Sequence, residues 1–490
     1  MAAQYFFTTI GTAAAGDHAI DVAGEGDRIY IDTGVAVGAN GAGANGLESA
    51  FGNHVIEVHG HLGSTLGRGI HLSGNSNGNH IFISNTGAIG AYGGDAIRLD
   101  GVTVGNSFND VATSGTIIST VGYGIFSADV DLGVINSGYI NGDGDTHSAI
   151  RALSGSVVNQ ATGVIAAGIV FSSIAGQESE VFNYGIIGGG GGTVNTGGAI
   201  TGGAGIETVF NYGTLAGGIN LGDGADLYDG SGGGRVVQGS IGLGAGNDEG
   251  IGSDQRDVFV DGLGNDVVDA NGGNDMIGVT ATAAGTDGND VYDGGAGIDT
   301  FTALVASAGV IVDLNAGTST GARTGNDLLS GIERVFGSNF GDTIIGDGAD
   351  NLIRGNNGND IIFGGGGVDI IDGGVNTDTI NGGAGRDRLT GGTQSDVFVF
   401  SLETDSGPTA ATRDIITDFV HLGDDIDISA LLGTFTFIGG AAFSAAGNEV
   451  RFQAEGSNTV VQISTDTDVA AEMSILLYGT IALDATDFIL

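Results

Sequence analysis

A nine-residue period, unbroken from Gly337 to Val399, limits what this chain can fold into more than any other feature. Seven blocks begin at Gly337, Gly346, Gly355, Gly364, Gly373, Gly382 and Gly391. Their sixth position reads Asp342, Asn351, Asp360, Asp369, Asp378, Asp387 and Asp396, and their eighth Ile344, Ile353, Ile362, Ile371, Ile380, Leu389 and Phe398. Upstream, residues 243–278 hold four contiguous blocks with Asp248, Asp257, Asp266 and Asp275, residues 285–302 hold two more with Asp290 and Asp299, and residues 221–229 are an isolated copy around Asp226. A fixed short period is the signature of a solenoid. Each block offers a glycine-rich turn, a carboxylate and a three-residue strand whose middle side chain faces inward. Two blocks then make one turn of a flattened coil, and equivalent residues of successive turns lie about 4.8 Å apart. Residues 303–336 break the period and read as an irregular, longer-looped rung.

A slower repeat precedes the nonapeptides. VFNYG occurs at residues 181–185 and again at 209–213, with related pieces SNTGAI, TSGTI, INSGYI and NQATGVI further upstream. Three short strands and three turns per copy is the size of one rung of a parallel β-helix. Asn85, Asn136, Asn159, Asn183 and Asn211 are then expected to stack as a ladder at one corner. Separate hairpins in a β-sandwich are the alternative. The fold class expected is all-β: a parallel β-helix or β-solenoid, then a parallel β-roll, then a C-terminal β cap. The expected division is residues 1–50 as an N-terminal cap or assembly segment, 51–220 as β-helix, 221–302 as a first roll, 303–336 as spacer, 337–400 as a second roll and 401–490 as cap. A cap is needed because the last rung of a solenoid otherwise exposes unpaired strand groups.

Composition fits such a coil. There are 99 glycines in 490 residues, no collagen-like period and one proline, Pro408. The net charge is −45, every basic residue is arginine, and cysteine is absent. Nucleic acid and anionic membranes would be repelled, so the natural partners are cations. Without cysteine, disulfides and thiolate metal sites are excluded, and an exported chain needs another staple. No basic stretch followed by an apolar core opens the sequence, so no Sec-type leader is expected there. No apolar run is long enough for a transmembrane helix.

The aspartates carry the chemistry. Carboxylates stacked about 4.8 Å apart repel by roughly 0.9 kcal/mol per pair even at the dielectric of water. A cation between turns reverses that sign. Calcium takes six to eight hard oxygen ligands in flexible geometry, which suits mixed carbonyls and carboxylates better than the strict octahedron of magnesium. The plainer alternative is that the aspartates only cap turns.

The pattern GGxGxDxUx resembles the calcium-binding nonapeptide of RTX proteins. The resemblance implies Ca²⁺ between blocks n and n+2. The first block would give its second and fourth carbonyls and its Asp, and the later block its first and third carbonyls and its Asp. It names Gly365, Gly367 and Asp369 with Gly382, Ala384 and Asp387. Asn356, Gly358 and Asp360 would join Gly373, Val375 and Asp378, and Gly374, Asn376 and Asp378 would join Gly391, Thr393 and Asp396. It further names Gly244, Gly246, Gly355 and Asn357, the Asp342 site, the pairs Asp248–Asp266 and Asp257–Asp275, and Asp290 and Asp299. Asn351 in place of Asp implies a weak or empty Asn351–Asp369 site, and Ser338 and Phe340 in place of glycines weaken the Asp342 site.

The C-terminal part, from GGTQSDVFVF through SGPTAATRDIITDF and DDIDISAL to LDATDFIL, resembles serralysin-type secreted proteins. That resemblance implies a type I secretion exporter as partner and an extracellular location. It does not imply proteolysis, because no HExxH occurs. Of the histidines, His59 and His61, near His54, His71 and His80, leave a transition-metal site open, with ordinary surface histidines the plainer reading. No catalytic residue is assigned. The function expected is a calcium-binding structural protein of the bacterial cell surface, surface-layer-like or filament-forming, which folds and self-associates on calcium and contacts cell-surface polysaccharide. The alternatives are an adhesin, or a polysaccharide-modifying epimerase or lyase using a grouping of Arg98, Arg151, Asp95 and Asp145.

Overall fold

A strand of three to five residues with one or two apolar positions cannot bury itself, so its inward side chains must find partners on identical strands above and below. The computed structural model shows how. It describes all residues except 1–3, 8–10, 13–16, 75–77, 102–107, 129–130, 144–145, 189–197, 281–286, 322–323 and 445. No α-helix occurs among the described residues, and none is long and apolar enough to cross a membrane. The chain divides into two compact units, Met1–Gly262 and Leu263–Leu490.

The first unit is a stack of rungs on three parallel sheets, visited in turn by successive strands. Each sheet buries one column of branched side chains. The first column runs Ile29, Ile56, Ile81, Val111, Val134, Val157, Val181 and Val209, ending on Tyr228. The second runs Val37, Leu62, Ile89, Ile117, Ile140, Ile165, Ile187 and Leu215. The third runs from Ile20 through Leu47, Ile70, Ile97, Ile125, Ile150, Ile169, Ile200 and Ile219 to Ile241. Burying each such side chain contributes about 1.5–3 kcal/mol. The segment expected to be an N-terminal cap already supplies rungs: Arg28–Ile31 pairs in parallel with Val55–Val58, and Ile20–Val22 with Leu47–Ser49.

The asparagine ladder is present at one corner, with four of its five expected members. Asn136 Nδ2 donates to Asn159 Oδ1, Asn159 Nδ2 to Asn183 Oδ1, and Asn183 Nδ2 to Asn211 Oδ1, each at 2.9 Å. Each also caps its own turn, as Asn136 Oδ1 does for the Gly138 N–H at 3.1 Å. Asn85 is the exception and is exposed. The register puts Thr113 opposite Asn136 and Ile83 opposite Thr113, so Asn85 lies past the ladder position. A second pair, Asn79 and Asn109, forms a rung elsewhere, with Asn79 Nδ2 donating to Asn109 Oδ1 at 3.0 Å.

The second unit is a two-sheeted roll. Ile344, Ile362, Ile380 and Phe398 stack on one sheet and Val335, Ile353, Ile371 and Leu389 on the other. Rung follows rung at two blocks, as in Leu352 opposite Ile370 and Ile370 opposite Arg388. The irregular spacer is a meander: Val310–Asp313, Thr318–Gly321 and Gly325–Ser330 pair antiparallel, yet Val310–Asp313 and Gly325–Ser330 still pair in parallel with the rungs on either side. Past residue 400 the rungs continue, with Asp414–Ile416 on Arg388–Thr393 and Asp425–Asp427 on Val397–Val399. Met473–Leu477, Asn458–Ser464 and Glu449–Glu455 then extend one sheet past Asp414–Ile416, pairing antiparallel with one another, and Phe488–Ile489 pairs with Asp425–Asp427 on the other.

Candidate calcium site

The sixth-position aspartates form two buried rails. On one, the N–H of Asp342 donates to Asp360 Oδ1 (2.7 Å), that of Asp360 to Asp378 Oδ1 (2.8 Å), that of Asp378 to Asp396 Oδ1 (2.9 Å) and that of Asp396 to Asp424 Oδ1 (3.0 Å). On the other, Asn351 N–H donates to Asp369 Oδ1, Asp369 N–H to Asp387 Oδ1 and Asp387 N–H to Asp414 Oδ1, each at 2.8 Å. The structure therefore brings together the pairs Asp360–Asp378, Asp369–Asp387 and Asp378–Asp396 that the period specifies. In the earlier run the same bond joins Asp266 to Asp290 and Asp275 to Asp299, each at 2.7 Å and 24 residues apart. The register thus survives an insertion.

One oxygen of each aspartate makes that ladder; in most of them the other is left over. Oδ2 of Asp290, Asp299, Asp360, Asp369, Asp378, Asp387 and Asp414 is buried and has no hydrogen-bond partner among the described residues. Burial pushes the carboxyls of Asp360, Asp369, Asp378 and Asp387 up to about 7, neighbouring acidic charge adding to it, and that of Asp414 to about 9. A buried carboxylate oxygen without a donor is costly unless a cation balances it.

The turns leave room only for backbone. At Gly355, Gly364, Gly373, Gly382 and Gly391 an added Cβ would run into the same block's Asp Oδ2. At Gly355, Gly364 and Gly373 it would also crowd the first-position carbonyl two blocks on. Positions two and four take positive φ: Asn356 (76°) with Gly358 (134°), Gly365 (100°) with Gly367 (110°), Gly374 (110°) with Asn376 (87°). Such alternation belongs to glycine and, more sparingly, asparagine, which explains the residue types. Gly366 stands opposite Ala384 and Asn357 opposite Val375, and Ala384 N–H donates to the Gly365 carbonyl at 2.8 Å. In the last of these blocks, Thr393 pairs with Val375. Gly244 and Gly246 repeat the positive φ, at 115° and 156°.

Four positions differ from that scheme, the simplest being Asp424, whose Oδ2 accepts the Val420 N–H at 2.8 Å. Asp342 receives the Ser338 N–H at 2.6 Å on Oδ2 and the Ser338 hydroxyl at 2.8 Å on Oδ1. Asp257 receives the Ser253 N–H and hydroxyl on Oδ2, at 2.7 and 2.9 Å. A serine in position two thus supplies donors where a cation would otherwise be required. Asn351 keeps the rail but buries an Nδ2 that finds no acceptor among the described residues.

Sequence reading missed several rail members. Asp327, Glu333, Asp414 and Asp424 carry the same bonds without a glycine-rich turn before them: Asp290 N–H reaches Asp327 Oδ1 (3.3 Å), and Asp299 N–H reaches Glu333 Oε2 (2.9 Å). Each is an acid two residues ahead of an apolar residue, which was the available signal.

Outside the roll, the five histidines do not converge. His54 is buried with Nε2 2.8 Å from Ser49 Oγ, while His59 lies between the Tyr30 and Phe82 rings. On the third sheet, Glu48, His71, Arg98, Phe126 and Arg151 form an outward column. His71 Nδ1 lies 2.8 Å from Glu48 and Nε2 3.0 Å from Asp100, and Arg98 bonds Asp100 (2.6 Å) and Asp95 (3.0 Å). Arg151 donates to the Tyr123 hydroxyl at 2.7 Å. Asp145 lies outside the described residues.

Residues 243–277, 283–303, 336–371, 363–398 and 372–405 match the profile of the RTX calcium-binding nonapeptide repeat. The chain binds calcium through these repeats. Among solved structures it is similar to the R2 subunit of a mannuronan C5-epimerase from Azotobacter vinelandii, at 32% identity over 30% of this chain and 90% of that one, TM-score 0.24. The R3 subunit of the same enzyme matches at 30% identity over 31% and 78%, TM-score 0.18. An extracellular lipase of Serratia marcescens matches at 17% identity over 50% and 40%, TM-score 0.16. No curated protein matches.

Proposed function

We propose that this chain is a secreted structural protein whose roll folds on meeting extracellular calcium, the ions lying between successive turns against the sixth-position aspartates. The observation that carries this reading is the row of buried, donorless Oδ2 atoms along both rails. The second- and fourth-position carbonyls, such as those of Gly365 and Gly367, and the first- and third-position carbonyls, such as those of Gly382 and Ala384, are the further oxygens the turns offer. Loop sites of extracellular modules bind calcium at about 10⁻⁴–10⁻³ M, so the roll stays open where calcium is scarce. Circular dichroism of the purified chain in chelator and in millimolar calcium tests it. Equal β content in both would reject it.

Self-association at a cell surface is the finer part of the proposal, with export through a type I system. It is supported by an apolar column on the outer face of the first sheet, where Phe82 and Ile135 stand 43% and 49% exposed. Light scattering that finds a strict monomer at every calcium concentration would count against it. A second reading, action on an acidic polysaccharide, is favoured by the Glu48–His71–Asp100–Arg98 cluster beside Arg151, and an assay for uronate epimerisation or lyase products separates the two.

A further inference from the structure

The ladder of buried carboxylates starts before the recognised repeats do. Residues 202–210, GGAGIETVF, set out the nine-residue block with glutamate at position six, ahead of the matched segment that opens at residue 243. Thr208 pairs with Leu227 and Val209 with Tyr228, so Glu207 takes the place of Asp226 one turn earlier. The bonds repeat those of the roll: Glu207 N–H donates to Asp226 Oδ1 at 2.8 Å, and Asp226 N–H to Asp248 Oδ1 at 2.7 Å. The turn repeats as well, with Asp223 N–H on the Gly203 carbonyl at 2.7 Å where the roll has Ala384 N–H on Gly365 at 2.8 Å. A Cβ at Gly202 would strike the Leu221 carbonyl, as one at Gly364 would crowd that of Gly382.

What points to a ligand is the pair of oxygens left over. Glu207 is 1% exposed and Asp226 3%. Glu207 Oε1 accepts from the Ser173 hydroxyl and Asp226 Oδ1 from the Glu207 N–H. Glu207 Oε2 and Asp226 Oδ2 have no hydrogen-bond partner among the described residues. Ser179 and the Gly203 backbone also face Glu207, and neither brings a charge. The charged neighbours of Asp226 are all acidic: Asp248, Glu207 and Asp223.

We propose that Glu207 and Asp226 hold a calcium ion between the last three-sheeted rungs, a site upstream of every matched repeat. The inference rests on the proposed calcium role and extends it into the β-helix. The donors are all hard oxygens, and the carbonyls of Gly203, Gly205, Leu221 and Asp223, at the block positions the nonapeptide scheme uses, are the further oxygens on offer.

Hydrogen exchange of the full chain, with and without calcium, tests it in the parent and in Glu207→Gln and Asp226→Asn. The amides remove buried charge, so neither substitution weakens the calcium-free fold. In the parent, calcium at ten times Kd should slow exchange across residues 202–226 about tenfold. Both variants should lose that slowing and keep it across residues 337–400. Slowing over 202–226 that is absent in the parent, or survives both substitutions, overturns the site while leaving the roll's calcium role intact. No slowing in either segment overturns both.

Discussion

At the residue scale, the behaviour of the roll turns on carboxyls that burial holds near neutrality. Asp360, Asp369, Asp378 and Asp387 are pushed up to about 7 in the absence of an ion, against about 3.9 for an unfolded aspartate. A carboxyl raised on folding stabilises the folded state fully below its unfolded pKa and loses that contribution as pH climbs through its folded pKa. In chelator the chain should therefore melt higher at pH 5 than at pH 7.5. With saturating calcium the order should reverse, because the ion requires the carboxylate and protons compete for it. Melting curves by circular dichroism at the two pH values check this; a calcium-free melting temperature that rises with pH would show that the carboxyls are not buried as described. Glycines make a second contrast. Gly364→Ala places a methyl against Asp369 Oδ2 and the Gly382 carbonyl and should cost about 1–3 kcal/mol. Gly348→Ala meets nothing within 4 Å and should be neutral or gain about 0.4–1 kcal/mol, read by urea unfolding in calcium.

At the scale of the strand and corner, the two kinds of rung were unequally legible. In the nonapeptide run, turn, acid and inward residue recur at one spacing, so the sequence states the register directly. The structure keeps it at every step from Asp342 to Asp396. In the three-sheeted part the corners vary in length, and Asn136, Asn159, Asn183 and Asn211 follow one another at 23, 24 and 28 residues. A corner that absorbs extra residues carries no fixed period, and Asn85 was misplaced for that reason. Glu207 went unseen because glutamate replaced the expected aspartate, and Asp414 because its turn, SGPTAATR, keeps a single glycine, Gly407, and not the block's spacing. The ladder itself is open to test. Asn159→Ala removes the acceptor of Asn136 and the donor to Asn183, leaving buried groups unmatched, and should cost about 1–3 kcal/mol. Asn85→Ala, at an exposed position, should stay within about 0.5 kcal/mol. Equal effects in denaturant titrations would remove the ladder from the account.

At the scale of the whole chain, the two units are held by different forces. The three columns of the β-helix are hydrocarbon from Ile20 to Ile200, with neutral asparagines laddered at one corner from Asn136 to Asn211. The roll buries one apolar side chain per nine residues and sets it beside an unbalanced acid, as with Ile371 after Asp369. Its apolar contribution per residue is smaller and its electrostatic cost larger, so removing calcium should open the roll while the helix persists. Limited proteolysis in chelator, followed by mass spectrometry, should leave resistant fragments drawn from the region before Gly202 and digest residues 263–490 rapidly. Millimolar calcium should protect both units, because ions bound only to the folded state raise its stability by mass action. If Glu207 and Asp226 share an ion, the resistant region in chelator should stop short of them and extend past them when calcium is restored. Survival of the roll in chelator, or loss of the helix along with it, would mean that the chain does not divide its stability in this way.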